Sequence, residues 1–356
     1  MVRLKPVDEQ TIVITGASSG IGLATAHLAA SRGARLVLAS RNGAALEDLA
    51  AEIRGGGGEA IAVVADVARR EDLERVAAAA RAEFGGFDTW VNNAGVSVYG
   101  TLEEIPIADH RRVFDVDYWG VVQGSLVAAA GLRERGGAIV NLGSILSDRA
   151  VMLQGPYCAA KHAVKGFTDA LRMELEHDGA PISVTLIKPS AIDTPFFEHA
   201  RTLLDAPGIR NPPPAYDPAL VARAILYAAE TPKRTITVGF GGYAIALAGA
   251  HFPRLTDFVL EAVGKPSQIT DIPAAPGRRD NLYAPRKDGS ERSSLPGGRR
   301  ETSAFLEAQL HPVVTAAAVA GVAAALAGIW AAKRGKLPRH GGGNDIESAS
   351  RQAGAA

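Results

Sequence analysis

Tyr157 and Lys161, four residues apart, are the first pair in this chain whose types and spacing can do chemistry. They lie in Gln154-Gly-Pro-Tyr157-Cys-Ala-Ala-Lys161-His-Ala-Val, where Pro156 falls near a helix start and good helix formers follow. Positions i and i+4 of a helix share a face. An ammonium beside a phenol favours the phenolate, so it lowers the tyrosine pKa and eases proton donation and uptake. Ordinary surface pairs also have this spacing, so the reading needs support from elsewhere in the chain.

That support lies near the N-terminus. Thr11-Ile-Val-Ile-Thr15 is β-branched and apolar, as a buried strand is. Gly16-Ala-Ser-Ser-Gly20-Ile-Gly22 follows at once, and Leu23-Ala-Thr-Ala-His-Leu-Ala-Ala reads as a helix. Strand, glycine turn and helix form the setting of a dinucleotide fingerprint, here spaced G-x-x-x-G-x-G. Glycines let the backbone approach a pyrophosphate, and the helix N-terminus offers free N–H groups and a favourable dipole.

Five ordered segments resemble the short-chain dehydrogenase/reductase family, in its main single-domain branch. They are Thr15-Gly-Ala-Ser-Ser-Gly-Ile-Gly22, Asn92-Asn-Ala-Gly95, Ser144, Tyr157-x-x-x-Lys161 and Pro189-Ser-Ala-Ile-Asp-Thr194, within about residues 8–240. The resemblance implies an oxidoreductase that interconverts a carbonyl and a secondary alcohol by hydride transfer. Tyr157 would be the general acid/base. Lys161 would tune it and hold the nicotinamide ribose, and Ser144 would hold the substrate oxygen. A serine at a strand end is equally a helix cap. Cofactor contacts would come from Gly16, Ser18, Ser19, Gly20, Ile21, Gly22, Asp66, Asn93, Ala94, Gly95, Tyr157, Lys161, Pro189, Ile192 and Thr194. Two positions depart from the family pattern. Asp117, in Phe114-Asp-Val-Asp117-Tyr-Trp-Gly120, stands where the family commonly has a catalytic asparagine, and Ser190 follows Pro189 in place of glycine. The first change bears on the proton relay.

Cofactor choice is read at the end of the second strand, Leu36-Val-Leu-Ala-Ser40-Arg41-Asn42. An acidic residue there would accept from ribose hydroxyls. Here Arg41 stands instead, and a guanidinium suits the 2′-phosphate of NADP. NADP is the expected cofactor, with NAD as the alternative. No metal is expected, since the histidines show no paired ligand spacing.

These residues need a scaffold. Strands are expected at 11–15, 34–39, 60–65, 87–92, 137–143, 182–187 and 235–239, with helices near 20–32, 43–54, 70–84, 108–130, 156–177 and 217–230. The alternation predicts an α/β fold: a Rossmann-type, doubly wound parallel sheet with the nucleotide at the carboxyl ends of its strands. The 47% hydrophobic fraction of the 356 residues is ample for such a core. Formal net charge is zero, which opposes a general attraction to nucleic acid. The single cysteine, Cys158, is read as core packing, and a reducing compartment follows. Met1-Val-Arg-Leu-Lys-Pro lacks the apolar run of a secretory signal, so a cytoplasmic catalytic domain is expected.

The substrate is expected to be a small carbonyl or alcohol compound of apolar character. Phe196, Phe197 and Tyr216, after Thr194, either line its pocket or only pack a lid. A homo-oligomer is expected. The catalytic domain should end near residue 240, followed by a helical segment at 241–264, a linker or surface arm at 265–300, a helix within 301–335 and a disordered tail at 336–356. Residues 313–332 hold no charge and reach the length of a bilayer span, although alanine and glycine dominate them. A tail anchor, an interfacial helix and a helix packed on a partner remain open for them. A catalytically weak nucleotide sensor or a membrane-recruited scaffold on the same fold is the alternative function.

Overall fold

The computed structural model describes residues 2–205, 208–273, 279–286, 289–295 and 297–334. The Thr11–Thr15 run is strand β1, buried along its whole length. Its neighbours are β2 (Arg35–Ser40), β3 (Glu59–Val64), β4 (Thr89–Asn92), β5 (Gly137–Leu142), β6 (Ile182–Pro189) and β7 (Thr235–Val238). They form one parallel seven-stranded sheet in the order β7-β6-β5-β4-β1-β2-β3. The order reverses between β1 and β4, which opens a crevice at their carboxyl ends.

Helices cover both faces. They are α1 (Gly20–Ser31), α2 (Gly43–Gly55), α3 (Arg70–Phe84), α4 (Ile107–Phe114), α5 (Gly120–Leu132), α6 (Gly155–His177), a single turn α7 (Phe196–His199) and α8 (Pro218–Glu230). Alternate residues of β1 face opposite layers, as a pleated strand requires. Ile12 and Ile14 join the layer of α1, α2 and α8, whereas Val13 joins that of α3, α5 and α6. The segment read as one helix over 108–130 is three pieces. A π-helical turn, Asp115–Trp119, separates α4 from α5 and sets Asp117 fully buried. Such turns re-aim side chains and recur at functional sites.

Beyond β7 come α9 (Phe240–His251) and α10 (Pro253–Gln268), broken at Pro253, and then α11 (Ala304–Leu310). Leu306 and Leu310 of α11 are buried in the main core, and Gln309 bonds both the N–H and the carbonyl of Thr237 in β7. The described residues between α10 and α11 include two short strand pairings, Ile269–Thr270 with Gly208–Ile209 being antiparallel. Arg299–Arg300 pairs in parallel with Ala215–Tyr216. Residues 311–356 form a second unit, of which helix α12 (Pro312–Arg334) is described. No single helix among the described residues is long and apolar enough to cross a membrane. The tail at 336–356 lies outside the described residues.

Candidate active site

The glycine turn is built from backbone alone. Gly16 and Gly20 have φ of +68° and +56°, where a side chain is strained. A Cβ on Gly16 would lie 2.8 Å from the Ala94 Cα, and one on Gly22 would lie 2.1 Å from the Gly16 carbonyl oxygen. Asn93 fastens the turn to β4: its Nδ2 donates to the carbonyls of Thr15 at 3.0 Å and Gly16 at 3.2 Å. The first N–H groups of α1 have no partners of their own within the helix. A pyrophosphate fits this cradle.

One cavity of about 460 Å³ runs from that turn to the proposed catalytic side chains. Gly16, Ser18, Ser19, Gly20, Ile21, Arg41, Asp66, Asn93, Ala94 and Gly95 line one end. Ser144, Tyr157, Lys161, Pro189, Ile192 and Thr194 line the other. Of the expected cofactor contacts, Gly22 is left out, since it packs against Gly16 beneath the turn. The strand ends collect these residues from across the chain. Below them, buried amides tie the sheet to the helices: Asn92 Nδ2 donates to Asn141 Oδ1 at 2.8 Å, and Asn141 Nδ2 to Thr168 Oγ1 at 3.0 Å. Burying such groups is tolerable only because each is paired.

Tyr157 and Lys161 lie on one face of α6, with the ammonium 5.4 Å from the phenol ring centre. Lys161 Nζ donates to the Leu142 carbonyl at 3.0 Å and stands 3.5 Å from Asp117 Oδ2. The other Asp117 oxygen accepts from the Val96 N–H at 2.8 Å. Asp117 therefore joins the lysine directly to the loop after β4. Burial pushes its carboxyl up to about 6, against the pull of Lys161. The expected lowering of the Tyr157 pKa is not found. Burial pushes the phenol well above its ordinary value, Asp117 adds to the rise, and a hydrogen bond with Ser144 opposes it. The i, i+4 spacing showed the cation but not the buried anion facing it.

Ser144 is a cap, as its strand-end position suggested, and it also faces the cavity. It caps the short turn Ile145–Ser147, its Oγ accepting from the Leu146 N–H at 3.1 Å, and it lines the cavity beside Tyr157. Phe196 and Phe197 also line the cavity, with the Phe196 ring centre 5.5 Å from that of Tyr157. Tyr216 instead packs in the main core. Cys158 is buried, and burial pushes its thiol up to about 11, so it is no ready nucleophile. No cluster of metal-ligating side chains occurs among the described residues.

At the adenosine end the sequence reading missed four partners. Arg112 donates to Asp66 Oδ2 at 2.7 Å. Arg41 donates to the backbone carbonyls of Asn281 and Leu282. The N–H of Gly20 donates to the Ser290 carbonyl at 2.8 Å. No local pattern predicts these bonds, because the partners lie far apart in the chain.

Known proteins share this architecture. The profile of the short chain dehydrogenases matches residues 10–204. An uncharacterized oxidoreductase of Bacillus subtilis (strain 168), YxnA, is 44% identical over 335 residues, covering 94% of this chain and 93% of its own. A short-chain dehydrogenase/reductase of Burkholderia phymatum, solved in complex with NAD, is similar with a TM-score of 0.63 and 28% identity, covering 72% of this chain and 96% of its own. An alcohol dehydrogenase of Thermococcus sibiricus, solved with 5-hydroxy-NADP, has a TM-score of 0.57 and 25% identity, covering 64% and 95%. The fold, the glycine cradle and the matched profile agree: this chain belongs to the short-chain dehydrogenase family and is an oxidoreductase.

Proposed function

We propose that the protein interconverts a carbonyl and a secondary alcohol with NADP(H), using Tyr157 as general acid/base. One observation carries the reading: Ser144, Tyr157 and Lys161 line the same cavity as the glycine turn. When bound, the nicotinamide supplies or accepts the hydride. Ser144 Oγ and the Tyr157 hydroxyl hold the substrate oxygen between them. In reduction Tyr157 gives its proton to that oxygen as negative charge builds there. The raised phenol suits this direction, since the proton is fully present at neutral pH. Lys161 offsets the charge left on the phenolate, and Asp117 holds Lys161 in place. Thr194 and Ile192 would flank the carboxamide end of the cofactor.

Arg41 supports NADP over NAD, because no acidic side chain takes its place at the end of β2. The B. phymatum relative carries NAD and the T. sibiricus relative an NADP analogue, so the family accommodates both. The substrate end is apolar, with Ile145, Val151, Phe196, Ile245 and Leu260 around it. An apolar ketone or secondary alcohol fits that lining. A panel of such ketones with NADPH, followed by loss of nicotinamide absorbance, tests the reading. Tight NADPH binding with no turnover on any member would favour the sensor alternative, which the Lys161–Asp117 pair supports by engaging the lysine. Cytoplasmic placement, self-association and membrane contact through 313–332 belong to the same proposal. Recovery of all full-length protein in the detergent-free supernatant of lysed cells would remove the membrane part.

A further inference from the structure

Residues 280–286 and 289–294 border the cavity and are bonded to elements on both sides of it. On the adenosine bank, Arg41 holds the carbonyls of Asn281 and Leu282, and Asn42 Nδ2 donates to the Arg286 carbonyl at 2.6 Å. Gly20, the first residue of α1, gives its N–H to the Ser290 carbonyl. On the opposite bank, Glu198 of α7 accepts from Ser293 Oγ at 2.7 Å, Ser294 N at 2.7 Å and Ser294 Oγ at 2.6 Å. The Asn281 N–H donates to the His199 carbonyl at 2.9 Å. Leu282 is a buried plug, fully inaccessible within the core layer of α3 and α5.

The segment borders the cavity and, through the Ser290 carbonyl, takes one N–H of the glycine turn. Asn281, Pro285 and Arg286 line the same space as Gly16, Ser40 and Asp66. The side-chain oxygen of Asn281 is buried there with no hydrogen-bond partner. An orphaned buried acceptor is costly unless a ligand donor meets it. The Arg286 guanidinium adds positive charge beside the cavity where phosphates would lie.

We propose that this segment is a strap and forms part of the cofactor site. It closes over the adenosine half of the bound dinucleotide, so the cofactor enters and leaves only when the strap lifts from α7. The inference rests on the dinucleotide reading of the cavity. The opening step lies at Glu198, whose carboxylate holds the Ser293–Ser294 end, whereas the Leu282 plug anchors the Asn281–Leu282 end.

The test measures cofactor exchange, not turnover. NADPH is bound to the full-length protein and chased with excess NADP, and nicotinamide fluorescence is followed by stopped flow. Glu198→Ala and the double variant Ser293→Ala with Ser294→Ala should each raise the NADPH dissociation rate tenfold or more. Saturating NADPH should also slow tryptic cleavage after Arg286 and Arg292 in the wild type. Unchanged dissociation in both variants overturns the strap. So does faster cleavage on adding NADPH, which would mean that the segment is displaced rather than closed. Failure of the wild type to bind NADPH or NADH at all would instead overturn the cofactor reading itself.

Discussion

Tyr157 shows how a single residue's surroundings outweigh its sequence neighbours. Lys161 is four residues away and cationic, yet burial and Asp117 set the direction of the phenol's shift. If Tyr157 carries the proton, Tyr157→Phe should lower turnover by about 10²–10⁴-fold. NADPH affinity should stay within a few-fold, measured by fluorescence titration. Turnover close to the wild-type rate would end the mechanism. Asp117 allows a sharper test. Its carboxylate raises the phenol, so removing the charge lets phenolate form at lower pH. Alcohol oxidation needs the phenolate. In Asp117→Asn the rise of the oxidation rate with pH should therefore move to lower pH by about one unit, with the reduction rate within about tenfold. An unmoved rise would mean that Asp117 does not act on Tyr157. A hundredfold gain would mean that the native aspartate impairs the site and that the sensor reading is better.

At the scale of elements, the end of β2 carries two tasks in adjacent residues. Ser40 lines the cavity, while Arg41 both lines it and donates to the carbonyls of Asn281 and Leu282. Burial lowers the Arg41 pKa, with Asp66 opposing it, but the guanidinium stays charged throughout the physiological range. Ser40→Asp with Arg41→Ala removes a phosphate partner and adds a group that accepts from a ribose hydroxyl and repels phosphate. The kcat/KM ratio should move toward NADH by tenfold or more, the scale of a hydrogen bond to a charged group. A wild type that already prefers NADH would refute the role given to Arg41. The π-helical turn is the second element with a task. A regular helix through 115–119 would rotate Asp117 away from Val96, and the Lys161 contact would be lost with it.

For the whole molecule, the question is where the catalytic unit ends. The family profile stops at residue 204 and the family-like pattern near 240, but the core continues to Leu310. Leu306 and Leu310 are buried and Gln309 holds the edge strand β7. A chain cut after Leu310 should keep the wild-type melting temperature and bind NADPH. A cut after Arg300 exposes the ground beneath two leucines, a loss of about 1.5–3 kcal/mol each. The melting temperature should fall by about 10 °C. Equal melting temperatures for the two chains, read by calorimetry, would show that α11 is not part of the core.

The amino-acid sequence alone determined the sheet, the glycine turn and the Tyr157–Lys161 face, because each follows from a short-range pattern. β-branched runs make buried strands, positive-φ turns need glycine, and i, i+4 residues meet on a helix. The boundaries of β1 and the break before Pro253 were legible for the same reason. Only the tertiary structure decided what faces those residues. Asp117 reaches Lys161 through a π-helical turn that no periodicity announces. Residues 265–300 carry no apolar period and read as linker or arm, yet Leu282 is buried and Ser290 caps α1. Their hold comes from backbone carbonyls and scattered polar side chains meeting partners as many as 270 positions away, from Gly20 to Ser290. Such contacts depend on where the sheet's strand order brings the chain, and hydrophobic patterning carries no record of them.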